Sequence, residues 1–188
     1  VLQPEHRILR AWLTSATTGV IELDADWREN LLPILAPGDK VFEIASLEPA
    51  RPELYAQEAA YFVDSDGWLV FVLDPSEYSW VDFTRTPAYV AGDFNGWMDA
   101  VGRPEWQLEH GELLGREVWL LRKEAATLLR DPPAQFKFIT GDQRWLDLPP
   151  DATNGVPDDR GHMNRALFRH RTGHNLFQFT ATSPLEAS

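Results

Sequence analysis

Apolar residues recur along this chain mostly at every second position, in short runs broken by turn-forming clusters, which is the spacing of half-buried β-strands. Ten runs read as strands: ILRAWLT (8–14), GVIELD (19–24), KVFEIAS (40–46), AAYFV (59–63), WLVFVLD (68–74), AYVAG (88–92), EVWLLRK (117–123), QFKFIT (135–140), NRALFRH (164–170) and NLFQFT (175–180). The clusters ATTG, DSDG, DFNG, TGDQ and RTGH between them supply residues that tolerate turn geometry. Helix is confined to WRENLL (27–32), ended by Pro33, and EAATLLR (124–130), ended by Pro132-Pro133. The rhythm predicts an all-β fold of two tandem β-sandwich domains. The polar, proline-flanked stretch 74–87 sets the boundary near residue 85, giving modules of residues 1–85 and 86–188.

Composition narrows the function classes. A formal net charge of −12 disfavours phosphate backbones and anionic lipid, so neither nucleic acid nor a membrane is an expected partner. Cysteine is absent, which removes disulfides, thiolate chemistry and cysteine-ligated zinc. No signal peptide or bilayer-length apolar run is visible, so a cytoplasmic setting is expected; the start at Val1 rather than Met points to a piece of a longer protein. The acidic groups Glu22/Asp24/Asp26, Asp64/Asp66 and Asp158/Asp159 sit at turns or strand edges, where solvated charge is the usual role, and no catalytic carboxylate pair is assigned. DSDG lacks the further ligands of a calcium loop and reads as a hairpin turn; of His162, His170 and His174, the last two flank RTG, which reads as a hairpin turn rather than a helix that would space two metal ligands on one face. No metal and no cofactor are expected.

The stretch AGDFNGW (91–97) sets Phe94 and Trp97 among residues chosen for a turn. Phe94 belongs in the core. Trp97 is either a plug beneath the turn or a flat apolar face offered to a ligand. AYVAGDFNGW (88–97), QFKFITGDQRWLD (135–147) and the later Asn164 together resemble carbohydrate-binding module family 48, the glycogen- and starch-associated β-sandwich that precedes the barrel of branching and debranching enzymes. That family also includes the β subunit of the AMP-activated kinase. The resemblance covers about half of the chain and implies an immunoglobulin-like (early-set) sandwich. It implies a sugar site at Trp97, Lys137, Trp145 and Asn164, with α-1,4-glucan oligosaccharide or polysaccharide as ligand and a downstream catalytic domain as neighbour. The chain departs from the family pattern at Arg160-Gly161-His162-Met163 and in a longer turn before Trp145. The first half is reminiscent of the additional sandwich modules of pullulanase-like enzymes. On that resemblance the chain is a non-catalytic N-terminal region of a glycoside hydrolase family 13 enzyme.

The residues support the same site independently. A pyranose has one face of C–H bonds, and an indole matches it with a π-surface and one N–H donor. Phe136 and Phe138 belong in the core and alternate with Lys137, which puts the lysine on an outer, solvent-facing side. Lysine is rare here, with only Lys40, Lys123 and Lys137 against fourteen arginines, which makes that position informative. Asn164 offers donor and acceptor to a sugar, or else bonds backbone at a strand start. Trp12, Trp68 and Trp119 fall inside strand runs and are assigned to the core, Trp27 opens the first helix, and Trp80 and Trp106 flank the second module. Three other roles stay open: a purely structural packing module, a regulatory glycogen-sensing subunit, and a self-contained hydrolase.

Overall fold

Strand periodicity becomes three antiparallel sheets in the computed structural model, which describes residues 8–23, 34–35 and 42–181. Contacts divide the chain into two compact units, residues 1–54 with 173–188 and residues 55–172.

The first unit holds β1 (Ile8–Leu13), β2 (Thr18–Leu23), β3 (Ile34–Leu35), β4 (Phe42–Pro49) and, from the far end of the chain, β14 (Leu176–Ala181), ordered β1-β2-β14-β4-β3. Arg10 stands directly across from Glu22, and its Nε donates to the carboxylate at 2.9 Å. Glu22 is fully buried, and the Asn175 amide reaches its other oxygen at 3.3 Å. The reading of Glu22 as a solvated edge charge is therefore corrected: a charge this deep persists because it is paired and hydrogen-bonded. Asp24, Asp26, Trp27, Lys40 and the expected helix 27–32 lie outside the described residues.

The second unit is built on two sheets. One comprises β5 (Tyr61–Val63), β6 (Trp68–Leu73), β8 (Glu109–Leu113) and β9 (Arg116–Glu124) in the order β5-β6-β9-β8. The other comprises β7 (Ala88–Gly92), β10 (Gln135–Thr140), β11 (Trp145–Leu146), β12 (Gly155–Pro157) and β13 (Met163–Ala166). β10 is central: β7 pairs along one edge, while β13 and β11 share the other. Phe71 of β6 and Phe136 of β10, both fully buried, meet edge to face at 4.9 Å, so the two sheets contribute rings to one core. Phe94, assigned to the core from sequence, is half-buried at its margin, tilted against Phe71 at 6.1 Å and stacked on Trp106 at 5.0 Å. Among the described residues no sheet closes into a barrel, and no helix is long and apolar enough to cross a membrane.

The units do not divide at residue 85. β6 pairs with β9, its register running from Trp68↔Glu124 to Leu73↔Trp119, so residues 61–73 belong with the later strands. β14 pairs with β2 and β4 instead. Period-two patterning marks a strand but leaves its distant partner unspecified, because no local turn fixes it. For the same reason RTGH is not a hairpin turn: β13 ends at Ala166 and β14 begins in the other unit. The DSDG hairpin does form, with the Asp64 carboxylate accepting from the backbone N–H of Asp66 and Trp68, both at 2.9 Å. The expected helix 124–130 shrinks to the single turn Ala125–Leu128.

Candidate functional site

Alternation along β10 decides which residues share the face opposite the core. Phe136 and Phe138 point to the buried rings, so Gln135, Lys137 and Ile139 take the other side. The β10–β11 register, Phe138↔Leu146 and Ile139↔Trp145, continues to set Asp147 across from Lys137. β13 pairs with the earlier part of the same edge, Gln135↔Ala166 and Phe136↔Arg165, and the Asn164 amide donates to Gln135 Oε1 at 3.2 Å, on the side that Gln135 shares with Lys137. Direct cross-strand partners lie on one face. Trp145, Asp147, Lys137 and Asn164 therefore line a single surface.

Trp97 reaches the same surface from the turn after β7. Gly92 is followed by a tight turn closed by Asn95 N–H to Gly92 C=O at 3.2 Å, and then by two left-handed residues, Gly96 at φ 76° and Trp97 at φ 58°. The first is glycine for good reason, since a Cβ there would sit 2.7 Å from the Asp99 carboxylate. A left-handed Trp is uncommon and costs about 1–2 kcal/mol. The surrounding bonds hold it: the indole Nε1 donates to Asp93 Oδ1 at 3.2 Å, while Asp93 Oδ2 accepts from the Gln135 N–H at 2.8 Å. The Trp97 and Trp145 rings lie 6.3 Å apart at 64°, both half-buried.

The structure thus brings the four expected residues together, but it disposes them unequally. The expectation of a solvent-facing Lys137 is corrected: it lies opposite the core rings, but its side chain is only 7% exposed because its ammonium is held by Asp147 Oδ1 at 2.8 Å. Asn164 is also buried, its Nδ2 donating to Gln135 Oε1 at 3.2 Å. The two indoles carry the accessible apolar surface; the two polar side chains already have protein partners. Asp93, Gln135 and Asp147, which position or pair the four, were not singled out in the sequence. Their only signal was adjacency: Asp93 and Asp147 each lie within four residues of a candidate Trp, and Gln135 two before the lysine.

Other candidates resolve differently. Trp68 is not core: it is 37% exposed with the Arg122 guanidinium 5.4 Å above its ring. Trp12 is half-buried beneath Arg10, and Trp119 half-buried beside Phe83 and His110. Trp106 is buried with the Lys123 ammonium over its ring at 4.3 Å, and Trp80 is 56% exposed under Arg144. Among the described residues no three histidines or carboxylates converge as a metal site.

A separate cleft of about 30 Å³ is bounded by Val72, Val118, Phe138, Glu77, Tyr78 and Arg165. That is room for about one or two waters, far too little for a hexose. Burial pushes the Tyr78 phenol up to about 12 and also lowers the Arg165 guanidinium. Arg165 donates to Glu58 C=O at 2.8 Å and Asn154 Oδ1 at 3.1 Å, which accounts for its place inside.

No family model, curated protein or solved structure matches the chain.

Proposed function

We propose that the chain comprises two immunoglobulin-like β-sandwich modules from the N-terminal region of an α-glucan-active enzyme. On this reading the unit carrying β10 binds α-1,4-glucan, or orients a downstream barrel, and performs no chemistry itself. The observation that carries the reading is the Trp97–Trp145 pair, two half-exposed indoles 6.3 Å apart and inclined at 64°. Inclined planes suit consecutive rings of a curved glucan, each stacking a C–H face on one indole. The left-handed backbone at Trp97 favours a functional role, since strain of that kind is retained where a side chain must be aimed. A net charge of −12 does not oppose an uncharged ligand.

Two stacked rings and a few hydrogen bonds correspond to a dissociation constant on the order of 10 µM to 1 mM. Titration calorimetry with maltoheptaose tests the reading. Trp97→Ala and Trp145→Ala are each expected to weaken binding by about ten- to a hundredfold, as for loss of an aromatic anchor, with far-UV circular dichroism unchanged. Undiminished affinity in both variants would mean that the sugar site is elsewhere or absent. A packing role for the same face has one observation in its favour, the prior engagement of Lys137 and Asn164. Acrylamide quenching of Trp fluorescence separates the two roles: a binder is protected by maltoheptaose, a scaffold is not.

A further inference from the structure

We propose that Asp147, rather than Lys137, presents the hydrogen-bonding edge of this face to a sugar. It accepts from neighbouring hydroxyls of an uncharged glucan, while Lys137 acts as the buried counter-ion that fixes the carboxylate. The assignment rests on the glucan reading of the Trp97–Trp145 surface.

The asymmetry of the ion pair carries it. The Lys137 side chain is 7% exposed and that of Asp147 is 88% exposed, although their charged atoms are 2.8 Å apart. An arriving ligand therefore meets the acid. An ionised carboxylate is an acceptor with about four lone-pair positions, of which the ammonium engages one oxygen. The other oxygen has no protein hydrogen bond among the described residues. Sugar hydroxyls are donors, so the free oxygen matches them, whereas a bare ammonium would seek only acceptors.

Position agrees with chemistry. Leu146 is buried, Trp145 half-exposed and Asp147 exposed, so Trp145 and Asp147 alternate onto the same side. Two residues of extended chain span about 6.6 Å. A ring stacked on Trp145 thus brings its hydroxyl edge to the carboxylate. Lys137 has a fixed reason to remain: a buried ammonium must keep its partner, and that bond restrains an otherwise mobile exposed acid.

The same groups set the ligand class. Among the described residues Asp93, Asp99 and Asp147 are exposed near the Trp pair, while the Lys137 ammonium is buried against one of them. Like charge repels, so a phosphorylated glucan is disfavoured and a neutral one is not.

The test is calorimetry of the full chain with maltoheptaose and with maltoheptaose bearing a 6-phosphate. The variants are Asp147→Asn, Lys137→Met, the Lys137→Met/Asp147→Asn double and Trp145→Ala. Asp147→Asn is expected to weaken maltoheptaose binding about tenfold, the worth of one or two hydrogen bonds to a charged group. Lys137→Met keeps the acceptor but releases the carboxylate that the buried ammonium restrains, so it is expected to weaken binding about threefold, less than Asp147→Asn does. The double variant leaves no orphaned charge, guards against misfolding of the single one, and binds as weakly as Asp147→Asn. The phosphorylated sugar binds the wild type at least about tenfold more weakly, and the gap narrows in Asp147→Asn and at high salt. If Lys137→Met and the double variant both abolish binding while Asp147→Asn retains it, the ammonium is the sugar contact and the assignment is overturned, with the glucan reading intact. If wild type binds no maltoheptaose, the glucan reading fails and this assignment goes with it.

Discussion

Phe136→Ala is expected to destabilise the unit formed by residues 55–172 by about 3–5 kcal/mol, the range for removing a buried aromatic ring and leaving a cavity. Phe136 is fully buried and meets Phe71 at 4.9 Å, Phe138 at 5.8 Å and Tyr61 at 6.1 Å. Those neighbours belong to β5, β6 and β10, so the ring is where both sheets are joined. Neighbours of this size relax poorly into the vacated space, and each T-shaped contact adds about 0.5–1.5 kcal/mol beyond area. Urea unfolding followed by near-UV circular dichroism checks the result; fits must allow two transitions, because the chain has two compact units. Phe138→Leu, which keeps most of the volume, should cost under about 1.5 kcal/mol. A loss below 1 kcal/mol for Phe136→Ala would show that the two sheets do not depend on this ring.

How far the residues announce this arrangement depends on whether the information is local. AYVAG and QFKFIT occupy β7 and β10 to the residue, because each alternates cleanly and ends at a turn signal. EHGEL gives no apolar rhythm and β8 was not anticipated; it is an edge strand with exposed Glu109, His110 and Glu112, formed by pairing with β9. β11 and β12, two and three residues long, fall below any periodic window. Pairing partners were the least legible, since β6 and β9 are joined across intervening turns and β14 returns to strands near the start. At the candidate site, the motif positions of Trp97, Lys137, Trp145 and Asn164 converge because three strands register on β10. What alternation cannot say is how deep a residue lies on its face. Alternation puts Lys137 on an outer face, and its burial against Asp147 corrects that: the depth depends on the neighbouring strands, which alternation does not specify.

Asn95→Ala should cost about 2–5 kcal/mol and also uncouple the Trp pair, because two buried backbone groups lose their partner at once. The even-numbered residues of β7 turn their polar groups away from β10: Ala88 C=O accepts from Leu108 N–H at 2.9 Å, leaving Val90 C=O and Gly92 N–H to be met further along that edge. Asn95 meets both, its Nδ2 donating to Val90 C=O at 2.8 Å and its Oδ1 accepting from Gly92 N–H at 2.9 Å. One amide thus does for the end of β7 what an adjacent strand would do. Asparagine was read here only as a turn former, a role that aspartate also fills. Asn95→Asp separates the two: a carboxylate can accept from Gly92 but cannot donate to Val90, so it too should be strongly destabilising, whereas a mere turn position would tolerate it. The consequence reaches the site through two residues. With the turn unpinned, the left-handed conformation at Trp97 loses its support and the indole no longer holds its 64° inclination to Trp145. At a temperature where Asn95→Ala is still folded, affinity for maltoheptaose should fall as far as in Trp97→Ala, although Asn95 is buried and touches no ligand. Equal stability of Asn95→Asp and the parent would remove the amide from this role and leave the aim of Trp97 to Asp93 alone.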